Sequence, residues 1–185
     1  MSLSGNIKSE IIKKNPFKKQ EKSVLQGLFL SCGSWLVSNA GIKFSLASDF
    51  EDVIGYCKSI LEKRYTESTF DISKVVRSFK NKERFERHSQ DKSEDILKDL
   101  GILFVDHEGL TSISEVGDKA FLKNESEMKA FLTGLFLGSG SVSAPSESSS
   151  KKTYGYHFEV NLQTKNQSDL VCEIFSNFDI FPKSV

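Results

Sequence analysis

Cysteine and histidine are too few and too scattered to organise this chain. Cys32, Cys57 and Cys172 are odd in number and share no CxxC spacing, and His88, His107 and His157 are equally dispersed. Disulfide frameworks and zinc sites need tighter grouping, so each residue reads as a core thiol or a surface imidazole, and no metal or other cofactor is expected. The same scatter offers no Cys–His pair and no Ser–His–Asp set, so no catalytic residue is assigned. No stretch reaches the roughly 18 apolar residues of a membrane span. The opening "MSLSGNIKSEIIKKN" has no sustained apolar run of the secretory kind, so a cytoplasmic protein without membrane contact is expected.

Net charge is missing too, but only in sum. The 25 basic and 25 acidic residues cancel, yet residues 1–90 hold 16 Lys/Arg against 10 Asp/Glu, and residues 91–185 hold 9 against 15. All four arginines (Arg64, Arg77, Arg84 and Arg87) fall in one 24-residue stretch. A basic half favours a phosphate backbone, whereas a zero total weakens long-range steering. What the chain has in quantity is phenylalanine, 15 in 185 residues, enough for an aromatic-rich core in one domain or two small halves.

Periodicity gives the element order. "LSGNIKSEIIKK" places Ile7, Ile11 and Ile12 at helical spacing behind Ser4 as N-cap, and Pro16 follows as the stop. A second helix runs from about Lys22 to Gly33, followed by a hairpin of "SWLVS" and "IKFSLAS". "DFEDVIGYCKSILEKRY" starts on an Asp cap and carries the stripe Phe50, Val53, Ile54, Cys57, Ile60 and Leu61. Two strands, "STFDISKVVRSF" and "KERFERH", precede a short helix, "SEDILKDLGIL", closed by Gly101. Residues 105–124 read as a connector with turns at Glu108-Gly109 and Val116-Gly117. "SEMKAFLTGLFLG" is a helix, then come "SVSAP", the polar loop "SESSSKK", the strand "YGYHFEVNLQT" and a last helix, "NQSDLVCEIFSNF".

One decapeptide occurs twice. "LQGLFLSCGS" begins at Leu25 and "LTGLFLGSGS" at Leu132, 107 positions on, with seven of ten residues identical. Each copy is followed by a hairpin and then an amphipathic helix, so the repeat is a supersecondary unit. Within each copy small residues stand one turn apart, Gly27 with Ser31 and Gly134 with Gly138. Such a stripe lets another backbone approach closely, which predicts that the two helices pack on each other across a pseudo-twofold axis. The Gly-Ser that closes each copy permits a sharp exit into a strand. "LGSGS" is not a phosphate loop, because it leaves a helix and enters a strand, the reverse of the order that aims a helix N-terminus at an anion.

"LxGLFLxxGS" resembles the LAGLIDADG motif of homing endonucleases, in which two such helices pack centrally and flanking hairpins form a saddle that lies on DNA. The family places an acidic residue just before the last Gly, as ligand to the divalent metals that cut the backbone. Here those positions are Cys32 and Ser139, and the sixth motif position, also Asp in the family name, is Leu30 and Leu137. Neither a thiol nor a hydroxyl replaces the carboxylate, so the resemblance implies the scaffold without the nuclease. "AFLTGLFLGSGSVSAP", "YHFEVNLQTKNQSDLVCEIFSNF", "EDILKDLGIL" and the opening "MSLSGNIKSEI" are more narrowly similar to the amino-terminal region of the WhiA family of bacterial regulators linked to sporulation and cell division. That resemblance implies an α+β, pseudo-twofold saddle of two αββαββ-type halves, residues 1–104 and 125–185, with the second incomplete. It also implies a nucleoid-associated regulator whose carboxy-terminal helix-turn-helix domain lies beyond this chain. After "FPKSV" nothing matches residues 68–103, so an exposed sheet edge or hydrophobic patch is expected there.

Two functional readings follow. In the first, a non-catalytic DNA-associated domain, weak without its helix-turn-helix, uses the ribbon "VVRSFKNKERFERH". Arg77, Lys80, Lys82, Arg84 and Arg87 then contact phosphates or guanines, and Lys151 and Lys152 add phosphate contacts. The competing view of these residues is exposed strand charge balanced by Glu83 and Glu86. In the second reading the scaffold has left DNA and recognises a protein partner or small ligand through its concave face.

Overall fold

The computed structural model describes residues 2–39, 41–66, 68, 70–77, 82–89, 92–145 and 155–184. Helix α1 (Leu3–Lys14) is capped by Ser2, whose hydroxyl accepts from Gly5 N–H, and it ends at Asn15 in the left-handed conformation. Ser4, expected as the cap, is instead buried and used far away in the chain. Its hydroxyl donates to the Val142 carbonyl (3.1 Å) and accepts from the Val142 N–H (2.9 Å). The most buried residues of α1 are Ser4, Gly5 and Lys8, while Ile11 and Ile12 pack half-buried against the core.

Helix α2 (Glu21–Cys32) leads into strands β1 (Gly33–Ser38) and β2 (Gly41–Ser48), paired antiparallel with Trp35 opposite Phe44. Helix α3 (Glu51–Arg64) follows, with the stripe Val53, Ile54, Cys57, Ile60 and Leu61 buried as its spacing predicts. Its N-cap is Phe50 and makes no side-chain cap, so Asp49 does not play the expected part. Strands β3 (Phe70–Arg77) and β4 (Lys82–Ser89) complete a four-stranded sheet of order β1-β2-β4-β3, and α4 (Ser93–Asp99) closes the unit at Gly101, φ +67°.

The connector holds more structure than its turns suggested. β5 (Leu103–Val105) and β6 (Thr111–Ile113) form a small hairpin that spans the 104/105 boundary. The second unit repeats the order of the first: α5 (Glu125–Ser139), then β7 (Gly140–Ser143) paired with β8 (His157–Val160), then α6 (Lys165–Ser176). Helix α6 starts on a reciprocal cap in which Thr164 and Gln167 satisfy each other's backbone N–H. Tyr156, Phe158, Ile180 and Phe181 stand exposed in this unit.

Two apolar clusters flank the α2–α5 contact, the most extensive between helices. The first gathers α2, α3, α4 and the large sheet; the second gathers α5 and α6. Each central helix also lends a side chain to the other unit's core: Leu30 of α2 lies in the second cluster, and Leu137 of α5 lies in the first. These are the sixth positions of the two decapeptides. A carboxylate there would have to be buried in hydrocarbon on both sides, which is costly.

Candidate functional site

Gly27, Ser31, Gly134 and Gly138 meet along the α2–α5 seam. A Cβ on Gly27 would collide with the Phe131 carbonyl and lie 2.7 Å from Leu135 N; a Cβ on Gly134 would collide with the Val24 carbonyl and lie 3.0 Å from Leu28 N. Val24 and Phe131 are 107 positions apart, so both glycines make the same contact, one in each direction. One turn further on, Gly138 faces Ser31, whose hydroxyl and Cβ occupy the space a Cβ would need. Gly33 and Gly140 then turn the chain out of each helix with extended backbone, where a Cβ would strike the carbonyl of Phe29 or the atoms of Phe136. The two glycines that recur in both copies, at the third and ninth positions, are therefore the letters that let two backbones touch and leave together.

Cys32 and Ser139 lie at the foot of this seam. The Cys32 thiol donates to the Leu28 carbonyl (3.2 Å), and the Ser139 hydroxyl donates to the Asn161 carbonyl (2.7 Å). Both line an open cleft of about 430 Å³, shared with Lys8, Ser34, Ser48, Asp49, Ser141 and Gln163. Among the described residues no three His, Cys, Asp or Glu side chains gather to hold a metal ion. Hard divalent cations need several oxygen ligands, and the seam's foot offers a thiol and a hydroxyl already engaged with carbonyls.

The cleft also contains a cation that the sequence did not single out. Lys8 is 2% exposed, with its Nζ 4.6 Å from the Phe50 ring centroid and 5.5 Å from that of Phe136. Burial lowers its pKa to about 8, against the opposing pull of Cys32 and Asp49. The available signal was positional. Ser4, Lys8, Ile11 and Ile12 recur at i, i+4, i+7 and i+8, so the lysine sits on the inward stripe of α1.

The large sheet carries the predicted ribbon. Register pairs Arg77 with Lys82, Val75 with Arg84, and Ile72 with Arg87. Arg87 also stands opposite Leu46, a buried residue, so its position belongs to the row of the core. Positions 77, 82 and 84 fall in the alternate row, which β2 continues through Ser45 and Ala47. Glu86 shares that row and Glu83 does not. Further along, this face includes Lys43 of β2, exposed, and its partner Leu36 on the edge strand β1, 66% exposed. Lys80, Lys151 and Lys152 lie outside the described residues. No helix among those described is long and apolar enough to cross a membrane.

Comparison with known proteins agrees with this geometry. The family described as "WhiA LAGLIDADG-like domain" matches residues 21–104 and 128–185, the two units with their central helices. The "Probable cell division protein WhiA" of Bacillus cytotoxicus is 27% identical over 186 residues, covering all of this chain and 55% of its own length. The chain thus spans about half the length of the curated relatives it matches. Among solved structures, the N-terminal LAGLIDADG domain of DUF199/WhiA superposes with a TM-score of 0.65 at 21% identity, covering 97% of this chain and 76% of that one. The homing endonuclease I-DmoI, in complex with DNA and Mn, superposes with a TM-score of 0.53 at 13% identity, covering 88% and 79%. With the family model covering both units and both central helices, the chain belongs to the WhiA LAGLIDADG-like domain family.

Proposed function

We propose that this chain is a non-catalytic, DNA-associated domain of a bacterial transcriptional regulator of the sporulation and cell-division type. The observation that carries the reading is the chemistry at the foot of the helix pair. Cys32 and Ser139 stand where two carboxylates would be needed, and a buried ammonium lies close by. A cation there opposes divalent metal binding and favours the anion that a nuclease would otherwise cut. The sheet row containing positions 77, 82 and 84 supplies three basic residues for backbone contact. The homing endonuclease neighbour that is solved with DNA supports a saddle used in this way.

Fluorescence anisotropy of a labelled duplex of about 30 base pairs, at two salt concentrations, tests the reading. Binding that falls steeply with salt, and that weakens in an Arg77→Ala/Arg84→Ala variant, is expected. Incubation of supercoiled DNA with Mg²⁺ or Mn²⁺ should leave it uncut; metal-dependent cleavage would overturn the non-catalytic assignment. The second reading is a recognition scaffold for a protein or small ligand, favoured by the zero net charge and by Leu36 and Val37, 66% and 63% exposed on β1. Absence of duplex binding at low salt would select it.

A further inference from the structure

We infer that the cleft at the foot of the helix pair is a phosphate-binding site in which the Lys8 ammonium supplies the charge and the neighbouring serine hydroxyls supply hydrogen bonds. Lys8 is nearly inaccessible, yet no described carboxylate lies within ion-pair distance of it and no hydrogen bond joins its Nζ to a described residue. A buried charge is normally paired, so an ammonium held beside a cleft of about 430 Å³ calls for an anion delivered through that cleft. The two phenyl rings beside it stabilise the charged form without neutralising it.

The lining indicates which anion. Ser141 is exposed and its hydroxyl makes no hydrogen bond to a described residue; Ser48, 3% exposed, accepts from Phe50 N–H (3.2 Å) and lines the same cleft. A phosphate presents several strong acceptor oxygens to such a set, and lysine binds phosphate as a point charge. Two groups oppose it. Cys32, whose thiol is engaged with the Leu28 carbonyl, and Asp49 both already act on the Lys8 ammonium, and Asp49 stands exposed at the rim, where water screens its carboxylate. The inference stands whether or not the sheet face meets DNA, because free phosphate and a nucleic-acid phosphodiester share this chemistry.

The test is NMR of the full chain with ¹⁵N-labelled lysine and backbone, titrated with inorganic phosphate at constant ionic strength. Saturable shifts at the Lys8 ammonium and the Ser141 amide are expected, with the Lys8 pKa rising as phosphate binds. Lys8→Met should abolish them. Asp49→Asn should tighten binding roughly two- to fivefold, the range of a removed exposed charge interaction. A purely structural Lys8 would show neither the saturable shift nor the response to Asp49→Asn, and either absence overturns the site. Should Lys8→Met fail to fold, Asp49→Asn and Ser141→Ala carry the test. A short duplex titrated in place of phosphate assigns the source: shifts at the same residues name the DNA backbone, and shifts with phosphate alone name the free anion.

Discussion

At the scale of single residues, the same substitution should have opposite signs at two glycines. Gly134→Ala drives a Cβ into the Val24 carbonyl, a backbone atom that cannot swing aside, and should cost roughly 1–3 kcal/mol. Gly55→Ala, on the exposed face of α3 with nothing within 4 Å of the new Cβ, should stabilise by about 0.5–1 kcal/mol through helix propensity. Thermal melts of the two variants read both. Lys8 gives a third prediction, with its sign set by linkage. Its pKa falls from 10.5 unfolded to about 8 folded, so the unfolded state holds more proton between those values and stability rises with pH across that window. Lys8→Met should therefore raise stability at pH 7 by about 1–2 kcal/mol, discounted for solvent in the cleft, and the gain should shrink from pH 8 to 10.5. A gain that stays constant with pH would refute the assignment of its cause. The seam glycines were legible from their repetition. Lys8 was less so, because what makes it unusual is two phenyl rings brought from α3's N-cap and from α5.

At the scale of elements, three helices are tied together by one carboxylate. Asp99, at the end of α4, accepts from Arg64 (2.9 Å) and from the Tyr65 hydroxyl (2.6 Å) at the end of α3, and lies 3.4 Å from Lys22 of α2. Partial burial would raise the Asp99 pKa, but the hydrogen bonds from Tyr65 and Arg64 hold it below the ordinary value. Tyr65 is pushed well up, by burial and by that carboxylate. A depressed carboxylate contributes stability that is complete above its unfolded pKa and is lost as pH falls through the folded one. Asp99→Asn should thus cost about 1 kcal/mol at pH 7 and nothing in strong acid, measurable by urea titration at the two pH values. The order of helices and hairpins was readable from apolar periodicity, with boundaries within a few residues. The β5–β6 hairpin was not, since strands of three residues are too short for alternation to register. Only its turn was visible, where Asp106 accepts from Glu108 and Leu110 N–H and Gly109 takes φ +81°. The caps failed for a different reason. Ser4 is spent on Val142, 138 residues away, and no local rule contains that contact.

At the scale of the whole molecule, the two units share one seam and exchange Leu30 and Leu137, so neither has a complete core alone. Urea unfolding followed by fluorescence of Trp35, the single tryptophan, should therefore coincide with unfolding followed by far-ultraviolet circular dichroism. Separated transitions would mean that the units fold independently. The seam itself is not fully symmetric, and the exception falls on its axis. Ser31 and Gly138 are equivalent positions that face each other, and the hydroxyl of one fills the gap left by the other. Two copies of the first unit would set serine against serine at that point; two copies of the second would set glycine against glycine and leave a void. At this one point the two surfaces are complementary and not identical, so each unit fits the other more closely than it would fit a copy of itself.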